Sequence, residues 1–140
     1  YLWPMIEIAI ATCMRRGEIL SLEWKHIDFA RSKALLPSTK NGRSRWVPLT
    51  PKVIELLVKL PEEQERVFPI TDVAVRQSWD RLRRRAGITD LTFHDLRHEA
   101  ISRQFEHGLS IPHVMAISGH QTASQLFRYI QLVDTDPVNM

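Results

Sequence analysis

The stretch from Leu2 to Met14 constrains the fold of this chain more than any other. It is nearly all apolar, interrupted by Pro4, Glu7 and Thr12, and far too short and broken to span a membrane. With Pro4 in its first turn, where proline is least disruptive, it reads as a buried helix. At 140 residues the chain is one domain, long enough to bury such a helix in a core of ordinary size. The hydrophobic share of 44% and charged share of 25% are those of a soluble globular protein.

Elements of two kinds follow this helix. Gly17 to Leu22 reads as a second short helix. Ile27-Asp28-Phe29, Lys33-Ala34-Leu35-Leu36 and Arg45-Trp46-Val47-Pro48-Leu49 read as strands. Asn41-Gly42, between the last two, is a strong hairpin signal because both residues tolerate positive φ. Beyond them, Thr50-Pro51 opens a helix to about Leu60, and Pro61 to Pro69 is a polar loop. Thr71 or Asp72 caps a helix ending at Gly87, with Val75, Trp79 and Leu82 on one face. His94 to His107 is the next helix, closed by Gly108. Ser110 caps another, closed by Gly119, and a last helix runs from about Thr122 to Leu132. The expected fold class is mainly α with a small three-stranded antiparallel β-sheet (α+β) inserted early.

Charge and cysteine content narrow the function only slightly. A net charge of +3 and a pI near 9.4 hint at an anionic partner. Arg81, Arg83, Arg84 and Arg85 crowd one stretch, and Arg43 and Arg45 flank the hairpin, although a basic cluster is more often a solvated face. The single cysteine, Cys13, rules out an internal disulfide and fits a reducing cytosol. No segment reads as a signal peptide or membrane span, and no His/Cys spacing suggests a metal site.

The chemistry lies in a series of short segments taken in order. Arg15 is followed three residues on by Glu18. Lys40 stands in Thr39-Lys40-Asn41-Gly42. His94 and Arg97, three apart, share a helix face in His94-Asp95-Leu96-Arg97-His98. Gly119-His120 ends a helix, and Tyr129 lies nine residues beyond. Two guanidiniums can hold a phosphodiester with paired hydrogen bonds. An ammonium can protonate a departing alkoxide, imidazoles can assist, and a phenol can attack. Each residue alone has a plainer reading: a surface arginine, a solvent-exposed turn lysine, a packed histidine, a half-buried tyrosine.

In this order the segments resemble the catalytic domain of the tyrosine recombinases, the phage-integrase family, from about Ala9 to Leu132. Thr12-Cys13-Met14-Arg15-Arg16-Gly17-Glu18 is similar to the family's Thr-Gly-x-Arg-x-x-Glu segment, and His94 to Arg97 to its His-x-x-Arg motif. The resemblance implies that Arg15 and Arg97 clamp the scissile phosphate and that Glu18 orients Arg15 from the same helix face. It further implies that His94 accepts a proton near the nucleophile, that Lys40 protonates the leaving 5′-oxygen, and that His120 hydrogen-bonds the phosphate. Tyr129 would form a 3′-phosphotyrosyl intermediate. Lys33 and Arg43 are weaker candidates for the acid. His98 reads as a packed, hydrogen-bonded residue, and Arg16 points about a third of a turn away from Arg15. Two positions depart from the pattern. Cys13 stands where glycine is usual and does not reach positive φ cheaply, which leaves room for a different local turn. Ser118 replaces the leucine of Leu-Gly-His.

The implied activity is strand breakage and rejoining that needs no cofactor, metal or ATP, because the ester keeps the bond energy. The implied partners are double-stranded DNA and other protomers, with a tetramer on DNA and the segment Ile130 to Met140 docking onto a neighbour; no membrane is involved. The expected location is the cytoplasm of a bacterium or a phage host, at the nucleoid. The abrupt start at Tyr1 reads as a fragment lacking an amino-terminal DNA-binding domain. Two other functions remain open at this point. Type IB topoisomerases use the same chemistry. A non-catalytic helix-turn-helix regulator could use Ser110 to Gln131, with Gln121, Ser124 and Gln125 reading DNA.

Overall fold

Helix α1 (Leu2–Thr12) sits at the centre of the fold, as its composition requires. In the computed structural model, which describes residues 1–37, 44–120 and 126, Met5, Ile8 and Ala9 are at most 1% exposed. Full burial of one such large side chain contributes about 1.5–3 kcal/mol, so this helix is held mainly by what surrounds it. It packs against α2 (Arg16–Ser21), α3 (Pro51–Lys59), α4 (Asp72–Arg85) and α5 (Asp95–Glu106). Helix α6 (Ile111–Ser118) lies against α5 and the sheet. Among the described residues no helix is long and apolar enough to cross a membrane.

The sheet has the order β1 (Ile27–Asp28), β2 (Lys33–Leu36), β3 (Arg45–Pro48), antiparallel throughout. Ala34 pairs with Ile27 on one side and Val47 on the other. Ala34, Leu36 and Val47 face the core while Trp46 is exposed, which is the two-residue alternation of a half-buried sheet. The expected class, mainly α with a three-stranded antiparallel sheet, is what forms. The Asn41-Gly42 turn and the helix expected over 122–132 lie outside the described residues, apart from Leu126.

Helix boundaries follow their caps. The Thr50 hydroxyl accepts from the Val53 amide at 3.3 Å, and the Thr71 hydroxyl from Ala74 at 3.1 Å, so Thr71 rather than Asp72 caps α4. Ser110 occupies the N-cap position of α6, but its hydroxyl pairs with His113 Nδ1 at 2.9 Å and makes no cap bond. Helix α4 runs off the core: Val75 is 1% exposed, Trp79 9% and Leu82 38%, so Leu82 does not join the buried face expected of it. The Trp79 indole donates to the Leu91 carbonyl at 2.9 Å and meets Phe93 edge-on, which pins the α4–α5 connection.

Two local expectations are corrected. The loop Pro61 to Pro69 is polar only in its first part. Val67 and Phe68 are fully buried, and the Val67 amide donates to the Leu22 carbonyl at 2.9 Å. The turn after α1 is left-handed in spite of Cys13, which adopts φ 62° and ψ 15°. A side chain there costs about 1–2 kcal/mol. Offsetting interactions are in place: the Thr12 hydroxyl accepts from the Met14 amide at 3.3 Å, and the Cys13 carbonyl accepts from Arg97. The Cys13 side chain is itself fully buried with Ala100, Ile101, Val114 and Leu126 in a second, smaller cluster beneath α5 and α6. Burial pushes its thiol up to about 11, against the opposing pull of Arg97 and Arg45, so it is a packing residue and not a nucleophile.

Candidate active site

Arg97 is the hub. It is only 3% exposed, an extreme position for a guanidinium, and both of its terminal nitrogens are used. One donates to the Cys13 carbonyl at the end of α1, the other to the Ser118 carbonyl at the end of α6, at 2.8 Å. Both acceptors are carbonyls left over where a helix stops. One side chain on α5 therefore ties together the turn carrying Arg15 and the turn carrying Gly119-His120. Burial, reinforced by the positive charge of Arg15, pulls the Arg97 pKa down to about 10, so it stays a cation at neutral pH.

Arg15 is the N-cap of α2, in an extended conformation, and so does not share a helix face with Glu18. Its amide donates to Glu18 Oε1 at 2.9 Å, whereas its guanidinium is 3.9 Å from Oε2. Glu18 thus orients the Arg15 backbone, and its carboxylate has a different main partner. Arg45 on β3 grips it with two bonds, Nη1 to Oε2 at 2.6 Å and Nη2 to Oε1 at 3.0 Å, and donates from Nε to the Ile117 carbonyl at 3.1 Å. Burial alone would raise the Glu18 pKa, but the Arg45 bonds and the Arg15 amide outweigh it and hold the carboxyl below its ordinary value.

Arg45 is the residue that sequence reasoning missed. A signal was present: in the alternation of β3 it falls on the same inward face as Val47, and a guanidinium facing a core needs a partner. Gly119 makes room for it. A Cβ on Gly119 would lie 2.7 Å from Arg45 Nη1, and Gly119 itself stands at φ +80°.

His120 follows directly. Its Nδ1 lies 2.6 Å from the Ser118 hydroxyl. His94 occupies the N-cap position of α5, one turn before Arg97, without a side-chain cap bond; it is exposed and meets His98 edge-on with ring centroids 4.8 Å apart. Arg16 turns away to Asp72, 2.6 Å distant, and Lys33 lies over the Trp46 ring at 4.3 Å. The structure therefore brings Arg15, Glu18 and Arg97 together and sets His120 against Ser118, whose carbonyl Arg97 holds, with His94 at the start of the same helix as Arg97. Lys40, Arg43 and Tyr129 lie outside the described residues, as do Gln121, Ser124, Gln125 and the segment Ile130 to Met140.

Arg15 and Arg45 meet the Glu18 carboxylate and Arg97 lies close by, so three cations share one anion and the site carries an excess of positive charge. Such a cluster, with a histidine at its edge, suits an oxyanion whose charge grows during reaction. The mainly helical fold with its small antiparallel sheet is shared with integrases of known structure. The integrase of transposon Tn1549, solved with transposon right-end DNA, matches with a TM-score of 0.78 at 17% identity, over 91% of this chain and 53% of that one. The catalytic domain of bacteriophage HP1 integrase matches with a TM-score of 0.74 at 24% identity, over 97% of this chain and 82% of that one.

The chain belongs to the phage integrase family, whose model matches residues 2–135. A shufflon-specific DNA recombinase of Escherichia coli is 45% identical over 133 residues, 94% of this chain. The chain spans 35% of the length of that relative.

Proposed function

We propose that this chain is the catalytic domain of a site-specific DNA recombinase that cuts and rejoins strands through a covalent tyrosyl intermediate. The observation that carries the reading is the position of Arg97, bonded at once to the turn behind Arg15 and the turn ahead of His120. This supports reading the two cationic segments and the histidine as acting on one phosphate, in a chain whose family and 45%-identical relative point to recombination.

In this mechanism the Tyr129 oxygen attacks the scissile phosphorus. A phosphotyrosyl ester forms at the 3′ side, and the bond from phosphorus to the 5′-oxygen breaks. Lys40 gives its proton to that 5′-oxygen, and His94 takes up the phenolic proton. Arg15, Arg97 and His120 hold the non-bridging oxygens as their charge grows. A 5′-hydroxyl from another strand reverses the step, so no cofactor enters. Glu18 and Arg45 act indirectly, through the Arg15 turn and the Gly119 turn.

The partners on this reading are double-stranded DNA and further protomers, assembled as a tetramer on DNA with the segment Ile130 to Met140 exchanged in trans. The place of action is the nucleoid, in the cytoplasm. A regulator using only a helix-turn-helix would have no use for the Arg15, Arg45 and Arg97 cluster, and strand relaxation of the type IB kind is not favoured by the relatives.

The test is covalent trapping. The chain is mixed with a pool of nicked duplexes of random sequence, and adducts are recovered on a denaturing gel. Wild type should yield adduct, while Tyr129→Phe should yield none and keep its DNA affinity. Adduct from Tyr129→Phe would sink the mechanism.

A further inference from the structure

Ser118 is fully buried and touches two of the residues assigned to the reaction. Its main-chain carbonyl accepts from Arg97 at 2.8 Å, and its hydroxyl oxygen lies 2.6 Å from His120 Nδ1. The same hydroxyl oxygen accepts from the His120 backbone amide at 3.4 Å. The amide N–H can only donate, so it takes up a lone pair of this oxygen. Among the described residues the hydroxyl proton then has no acceptor other than the Nδ1 lone pair. A hydroxyl that gives its proton to Nδ1 leaves the ring proton on Nε2.

We propose that Ser118 is a positioning residue whose buried hydroxyl fixes the tautomer and the ring orientation of His120, with Nδ1 as acceptor and Nε2 as the N–H. The link rests on the reading of His120 as a phosphate donor only for its consequence in catalysis. Within that reading, Nε2–H is the donor offered to the scissile phosphate, and a preset ring avoids the loss of orientation at the moment of attack. Leucine, the residue that the family resemblance leads one to expect at this position, has no group that could do this. Ser118 thus replaces packing with a directed hydrogen bond one residue before the Gly119 turn.

Ser118→Ala isolates the hydroxyl, because the carbonyl that holds Arg97 is unchanged. Two measurements are needed. The first is a proton–nitrogen NMR spectrum of the histidine rings of the free chain, at a pH where His120 is neutral. Wild type should show His120 protonated at Nε2, with Nδ1 carrying the shift of a hydrogen-bonded acceptor. Ser118→Ala should lose that acceptor shift and show the ring in more than one state. An identical His120 spectrum in the two proteins, or a wild-type ring protonated at Nδ1, overturns the proposal.

The second measurement is the rate of adduct formation on a duplex recovered by trapping, at saturating DNA, alongside DNA affinity. The rate should fall about tenfold with affinity unchanged, short of the roughly 10²–10³-fold expected when a charge-stabilising donor is itself removed. If the spectrum changes as expected while the rate does not, the hydroxyl holds the ring and the failure lies with His120 as a phosphate donor. The two readings therefore fail separately.

Discussion

Glu18 on α2 and Arg45 on β3 meet through two hydrogen bonds, 2.6 and 3.0 Å long, although 27 positions separate them in the chain. Both side chains are close to 90% buried, at 12% and 10% exposed. Arg45 also reaches the Ile117 carbonyl at the end of α6, so one guanidinium locks the sheet to two helix ends that carry candidate catalytic residues. Removing one member of such a buried pair leaves an uncompensated charge, worth about 3–5 kcal/mol. Arg45→Ala should therefore lower unfolding free energy by roughly 3 kcal/mol or more, read from urea denaturation. Arg45→Lys should recover less than half of that loss, because an ammonium cannot form the fork or reach Ile117 at the same time.

Gly119 is required twice at the same place. Its φ of +80° is strained for any residue with a Cβ, and that Cβ would meet Arg45 Nη1 at 2.7 Å. Gly119→Ala should cost about 1–2 kcal/mol for the backbone alone, with a further loss from displacing Arg45. If only the backbone mattered, Gly119→Ala would be equally harmful in wild type and in Arg45→Ala. A double-mutant cycle on unfolding should instead show a coupling of about 0.5 kcal/mol or more between the two.

The helices and strands were legible in the chain because their signals are local. The apolar run of α1, the Thr50-Pro51 start of α3 and the glycines after α4, α5 and α6 each depend on a few neighbouring residues. The candidate site was legible only as a series of residue types; in the structure Arg97 lies beside Arg15 and holds the Ser118 carbonyl two residues before His120. What stayed hidden was long-range pairing. Glu18 was expected to serve Arg15 because it is near in sequence, yet its main partner comes from β3. Cys13 illustrates the same limit for backbone: propensity argues against a left-handed cysteine, and a tertiary hydrogen bond from Arg97 helps to offset it. The burial of Val67 and Phe68 in a loop with polar flanks also follows from contacts, through the Leu22 carbonyl, that no local pattern announces.

Arg15 and Arg97 should separate stability from catalysis. Arg15 has a side chain 30% exposed and a loose 3.9 Å contact, so Arg15→Ala should change stability by no more than about 1 kcal/mol. Arg97→Ala leaves the buried carbonyls of Cys13 and Ser118 without their donor. An unsatisfied buried group costs about 1–3 kcal/mol, so this variant should be destabilised by several. Both should slow adduct formation by roughly 10²–10³-fold, far more than they weaken DNA binding, because their contacts strengthen as charge develops. Equal losses in affinity and rate would mark them as ordinary backbone contacts.

Lys40 lies outside the described residues, and its role rests on the family resemblance, so it needs a test of chemistry rather than position. An alkoxide departs poorly, and a positioned acid is worth roughly 10²–10⁴-fold. If Lys40 protonates the leaving 5′-oxygen, Lys40→Ala should be nearly inactive on normal DNA. A duplex with sulfur at that bridging position has a leaving group that departs readily without a proton. On it Lys40→Ala should recover most of its rate, whereas Arg15→Ala should stay impaired, since sulfur does not replace charge stabilisation on the non-bridging oxygens. Equal slowness of Lys40→Ala on both substrates would move the acid elsewhere. Lys33 would then have to leave the Trp46 ring, over which its ammonium sits at 4.3 Å, before it could serve.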